Sequence, residues 1–212
     1  MKELIEKYLK PTFYSKNHRY KSWEHCFQAF GNPNDKVDYL ALQLAFYLAS
    51  WGMYRGSSGL LWKDYKVHNE AVVIIKKHFE LRNKCFIGLP EINGVLNVVS
   101  DLADYYKQIE YFNGDNEKGN VTATDTLISK IILGTLGCLP AFDRYFNIGI
   151  FSKHYSKIDN KTLEEIWRIA NEKNSEIESV QEWIRQQTGT LYPPMKIIDM
   201  YFWQLGIEKK TK

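Results

Sequence analysis

The segment Thr124–Ile150, TDTLISKIILGTLGCLPAFDRYFNIGI, joins two apolar runs across a single break. The first run has helical character and carries Lys130. It meets small residues from Gly134 to Gly137 and then Pro140. Because proline suits a first helical turn, Pro140 is predicted to open a second helix, with Asp143 and Arg144 on that turn. One acid and one base therefore stand at the junction of two otherwise apolar helices, where a chain can hold charge at the edge of a core.

The same period extends outward in both directions. Apolar residues recur every three or four positions, and long alternating runs are absent. Val37 to Trp51 is apolar on every side and predicts a central helix buried all round. Val67, Ala71, Ile74, Ile75, His78 and Phe79 mark the face of another helix, and Val95, Val98, Leu102, Tyr105, Ile109 and Phe112 a third. Thr162-Leu163-Glu164-Glu165 reads as a capping box before Ile166 and Trp167, and Ser175 with Glu178 as a second one before Val180. Pro193 and Pro194 start a last helix through Ile198 and Leu205, which Gly206 should stop. The expectation is a single all-α domain over residues 1–212, with about eight to ten helices at ordinary helix lengths. Asn113–Asn120, NGDNEKGN, is rich in turn formers and is the candidate boundary between two lobes.

Composition narrows the class. Charged residues make up 25% and hydrophobic residues 44%, as in an ordinary globular domain. Aromatic residues reach 15%, so rings must supply much of the packing. The net charge of +3 is close to balance; binding to phosphate would then depend on local patches. Two patches are basic: Lys10, Lys16, His18, Arg19 and Lys21, interleaved with Phe13, Tyr14, Tyr20 and Trp23, and the tail residues Lys209, Lys210 and Lys212. Cys26, Cys85 and Cys138 are odd in number and widely spaced, which fits free thiols in a reducing cytoplasm. Glu3 and Glu6 interrupt what a signal peptide would keep apolar, and no segment is apolar for long enough to span a bilayer. A soluble, cytoplasmic protein with no membrane partner is expected.

No metal and no cofactor are expected. The five histidines lack the i, i+4 spacing that puts two ligands on one helical face, and each reads as a core-edge or surface residue. Asp115 and Glu117 lack the glycine and terminal glutamate of a calcium loop at the required places.

Two constellations carry candidate chemistry. In WGMYRGSSGLLW, Trp51–Trp62, Arg55 with Ser57 and Ser58 forms a candidate ligand-binding turn for an anion or phosphate at a helix start. A tight turn in which a serine caps the helix containing Leu60–Trp62 explains the same residues. The second constellation is Lys130 with Asp143. Here SKIILGTLGCLPAFDRYF resembles the helix–hairpin–helix DNA glycosylase superfamily, particularly its 8-oxoguanine glycosylase-like members. Those proteins carry a lysine-bearing helix, a short turn, and a proline-led helix whose early aspartate borders the active site. YPPMKIIDMYFWQLG is similar to their last helix. The resemblance covers roughly Thr124 to Gly206 and does not include the family's leucine-proline-glycine-valine-glycine hairpin.

That resemblance implies DNA as partner, Asp143 as the catalytic carboxylate and Lys130 as the amine of any lyase step. An aspartate in a first helical turn is equally what the helix dipole favours. Asp199, between Ile198 and Met200, needs a buried partner, with Lys130, Arg144 or tyrosine hydroxyls as candidates. The sequence therefore supports a glycosylase-like nucleic-acid-binding protein. It also leaves two alternatives: a non-enzymatic helical module that binds another protein or itself, and a phosphate-ligand binder at Arg55–Gly59.

Overall fold

A computed structural model describes residues 1–15, 17–84 and 89–210; Lys16, Cys85 and Lys212 lie outside the described residues. The chain is all-α. Among the described residues it forms α1 (Lys2–Tyr14), α2 (Lys21–Ala29), α3 (Val37–Ser50), α4 (Asn69–Lys77) and α5 (Leu89–Lys107). A hairpin of β1 (Glu110–Phe112) and β2 (Lys118–Asn120) follows. Then come α6 (Asp125–Thr135), α7 (Arg144–Phe151), α8 (Asn160–Glu172), α9 (Asn174–Thr188) and α10 (Pro194–Lys210).

The helix buried on every side is α6, not α3. All residues from Leu127 to Thr135 are buried, whereas α3 exposes Tyr39, Leu42 and Phe46. Thr124 starts α6 by accepting the Leu127 N–H at 3.2 Å, satisfying a backbone donor that the helix itself cannot. Gly137 ends it at φ 68°, with its N–H on the Ile132 carbonyl at 2.9 Å. A side chain there would meet Phe27 at 2.7 Å and Pro193 at 2.8 Å, so backbone and packing both require glycine. Arg82 donates to the carbonyls of Thr135 and Phe27 and lies 3.9 Å from the Phe27 ring, closing this end of α6.

Several boundaries differ from the sequence reading. Pro140 does not open a helix: residues 137–143 form a buried, non-helical link, and α7 begins at Arg144 with Asp143 as its N-cap. The helix anticipated through Phe112 stops at Lys107, and its last residues enter the hairpin, whose turn is the polar segment at 113–117. One hydrophobic core draws on Val98 and Leu102 before the hairpin and on Val121 and Leu127 after it. Thr162 is the third residue of its capping box and Asp159 the N-cap, with Thr162 N–H on the Asp159 carboxylate at 2.9 Å. Ser175 lies inside α9, which has no side-chain cap.

Gly206 does not stop the last helix. It is buried within α10, where an added Cβ would fall 1.9 Å from the Tyr145 carbonyl oxygen; Gly149 of α7 stands in the same relation to Phe202. The two glycines let α7 and α10 touch backbone to backbone. This contact fixes the start of α7, and therefore Asp143, against Trp203.

His68 belongs to the core, not its edge. It is fully buried, with Nε2 2.9 Å from the Tyr54 hydroxyl and Nδ1 2.6 Å from the Tyr106 hydroxyl. Burial pushes its pKa down to about 3 from the ordinary 6.5. Between those values the unfolded chain binds the extra proton, so stability is full above pH 6.5 and is lost as pH falls towards 3. Lowering the pH from 7.5 to 5.0 should remove about 2 kcal/mol, at about 1.4 kcal/mol per unit of titration. Urea unfolding at the two pH values should show this loss in the wild type over and above that in His68→Gln. Equal losses would refute it.

Candidate functional site

The buried link places Asp143 by fixing its own backbone at several points. The Ala141 N–H donates to Asp199 Oδ1 at 3.0 Å, and the Phe142 N–H to Ser129 Oγ at 2.8 Å. The Phe142 carbonyl accepts from Thr126 Oγ1 at 2.9 Å and from Asn147 Nδ2 at 3.3 Å. Each bond removes a buried polar group that would otherwise be unsatisfied. Asp143 then caps α7, its Oδ1 accepting from the N–H groups of Tyr145 and Phe146, both at 3.1 Å. Its other oxygen accepts from Lys130 Nζ at 3.1 Å. The carboxylate is thus a helix cap on one side and an ion-pair partner on the other.

Lys130 is 5% exposed and Asp143 16%. They form the floor of a cleft of about 330 Å³. Trp51, Tyr145 and Trp203 wall it, and the exposed Arg19, Arg55 and Arg144 stand around its mouth. Lys130 Nζ lies 5.0 Å from the centre of the Trp51 ring. Tyr8, Tyr20 and Trp51 stack in series, with ring centres 4.9 and 5.0 Å apart. Arg19 lies 5.4 Å from the Trp51 ring, and Trp51 Nε1 is buried without an acceptor among the described residues.

A second ion pair lies behind the first. Lys196 Nζ is 2.8 Å from Asp199 Oδ2, and the two side chains are 4% and 6% exposed. Lys196 is surrounded by the rings of Tyr8, Trp23 and Trp51 at 5.3, 5.3 and 5.7 Å. Burial lowers its pKa, an effect the Asp199 carboxylate opposes. Burial also raises those of Tyr8 and Tyr47, which stay protonated. Two ammonium–carboxylate pairs are therefore held one behind the other in an aromatic surround, and only the outer pair reaches the cleft.

The sequence brought Lys130 and Asp143 together, and the structure adds Arg55 to the same cleft. It does not bring Ser57 or Ser58 there. Ser58 is buried, its hydroxyl contacting the carbonyls of Met53 at 2.6 Å and Arg55 at 2.8 Å. It accepts the Leu60 N–H at 3.3 Å, but Gly59 is the N-cap of the short turn Leu60–Trp62. Ser57 is exposed and uses its backbone carbonyl to accept from Thr122 Oγ1 at 3.3 Å. Asp199 pairs with Lys196 and the Ala141 N–H, not with Lys130, Arg144 or a tyrosine. Lys196 went unnoticed in the sequence, although its i, i+3 spacing from Asp199 on one helix pointed to it. Trp203 gave no such signal, because an aromatic residue in an apolar helix looks like any core residue.

Among the described residues, no group of three histidine, cysteine or acidic side chains is arranged to hold a metal ion, and no helix is long and apolar enough to cross a membrane. No protein-family model matches the chain, and neither does any curated protein or solved structure.

Proposed function

We propose that the cleft is a nucleic-acid site that accepts an extruded nucleobase, and that the chain is a divergent helix–hairpin–helix glycosylase acting there on the N-glycosidic bond. One observation carries the reading. The Lys130–Asp143 pair, 3.1 Å apart, forms the floor of an aromatic-walled cleft with three exposed arginines at its mouth. Tryptophan and tyrosine rings offer stacking surface to an unstacked base, worth about 1–3 kcal/mol per base. The arginines offer the phosphate contacts that the absent hairpin would otherwise supply.

Asp143 is placed to stabilise positive charge on the sugar as the base departs. In hydrolysis, the bond from C1′ to the base nitrogen breaks and its electron pair leaves with the base, which takes up a proton. Water adds to C1′ and passes its proton to the carboxylate, which returns it to solvent. Lys130 holds that carboxylate in position by pairing with it at 3.1 Å. In a lyase variant, Lys130 would first give up its proton and then attack C1′ itself. The buried free thiols Cys26 and Cys138 suit a reducing compartment such as the cytoplasm.

A mobility-shift titration with duplex and single-stranded DNA at low and moderate salt tests the binding. Affinity should fall steeply with salt as bound counterions are released. The combined substitution Arg19→Ala, Arg55→Ala and Arg144→Ala should reduce the salt slope by about 2 to 3. Absence of binding to either DNA at low salt would refute the reading. It would favour a protein-interaction module, for which the exposed Tyr39, Leu42 and Phe46 on α3 would be the contact face.

A further inference from the structure

A second basic cleft opens at the far end of α7. It measures about 590 Å³ and is lined by Ile150, Phe151, Lys153, Tyr155, Lys157 and Lys161. The three lysines are exposed, and none forms an ion pair among the described residues. Two acids share this cleft but are already engaged: Asp159 caps α8 through the Thr162 N–H, and Glu165 pairs with Arg168 at 2.8 Å. The Tyr155 ring is 61% exposed, with its hydroxyl donating to Asp125 at 2.9 Å, which presents a fixed flat face to solvent.

Cations also bridge the two clefts. Arg144 stands at the start of α7, and Lys210 of α10 lies 5.6 Å from the Tyr145 ring. Lys209 donates to the Gly149 carbonyl at 2.9 Å, at the other end of α7. Some surface cations are neutralised by neighbours, as in Lys7–Glu208, Lys173–Glu176 and Arg185–Glu182. Arg144, Lys209 and Lys210 form no ion pair among the described residues. An eight-residue helix is about 12 Å long, a span of several phosphates on a nucleic-acid strand.

We propose that a phosphodiester strand runs from the Lys130–Asp143 cleft along α7 to the Lys153–Lys157–Lys161 cleft, where a flanking base stacks on Tyr155. The inference rests on the reading of the first cleft as a nucleic-acid site, but it adds a second contact region and a minimum strand length.

Fluorescence anisotropy with labelled single-stranded deoxyoligonucleotides of 3 and 12 nucleotides, at several salt concentrations, tests it. The 12-mer should bind more tightly than the 3-mer and with a steeper salt slope. Substituting Lys153→Gln, Lys157→Gln and Lys161→Gln together should flatten the 12-mer slope by about 2, at about 0.7 per single-strand phosphate contact. It should leave 3-mer binding unchanged. Exposed lysine-to-glutamine changes keep the fold, which a melting curve checks. Lys36→Gln, Lys66→Gln and Lys77→Gln together form the control and should leave both slopes at the wild-type value. If both oligonucleotides bind but the cleft variant matches wild type, or the control loses as much slope, the track is refuted while the first cleft stands. If neither oligonucleotide binds, both readings fall.

Discussion

Asp143→Asn is expected to reduce base release from damaged DNA by about 10²–10⁴-fold, the range for loss of a positioned proton-transfer group. The asparagine carbonyl can still accept from Tyr145 and Phe146, so α7 keeps its cap. What is lost is the negative charge facing Lys130. Because Lys130 sits on the floor of an open cleft, it can recruit water, and the stability cost should be about 1–3 kcal/mol. A loss of turnover at a temperature where the variant remains folded therefore separates chemistry from structure. Full activity in Asp143→Asn would remove the residue from the mechanism. Borohydride trapping distinguishes the two routes: an adduct formed by wild type and absent in Lys130→Gln assigns the amine as nucleophile, whereas base release without an adduct assigns the hydrolytic route.

The largest stability effect is expected at the inner pair. Asp199→Ala leaves the Lys196 ammonium, 4% exposed, without its carboxylate and the Ala141 N–H without its acceptor. Breaking a buried pair by removing one partner costs about 3–5 kcal/mol, because the remaining charge stays desolvated. The sign of the pH dependence follows from Lys196. Burial already lowers its pKa, and without Asp199 it should fall further. Below the unfolded value of 10.5 the unfolded chain then binds more protons, so the variant should regain stability as pH rises. Lys196→Met with Asp199→Leu should recover only part of the loss, since an apolar pair removes both charges but still leaves the Ala141 N–H without its acceptor. Denaturant unfolding of the single and double variants checks this; a cost below about 1 kcal/mol for Asp199→Ala would contradict the account. Because Asp199 also holds the link at Ala141, the substitution should loosen Asp143, linking the inner pair to the geometry of the cleft.

The sequence by itself determined the all-α class, because periodic burial is a local property: residues three and four apart share a helical face whatever the helix packs against. It also determined that Lys130 and Asp143 flank a break between apolar segments. Tertiary structure alone decided the rest. Pro140 could have begun a helix, but the link is held in a non-helical path by bonds to Ser129 and Asp199, one of them fifty-eight positions away. Gly206 looked like a helix stop because glycine is permissive there, yet contact with Tyr145 makes it an interior spacer. Arg55 and Asp143 looked like separate candidates because no local pattern relates residues so far apart in sequence. They meet because α3 and α6 pack together and the glycine contact between α7 and α10 sets the start of α7. Periodicity is read along one chain segment, whereas a site is assembled from several, and only packing determines which of them share a cleft.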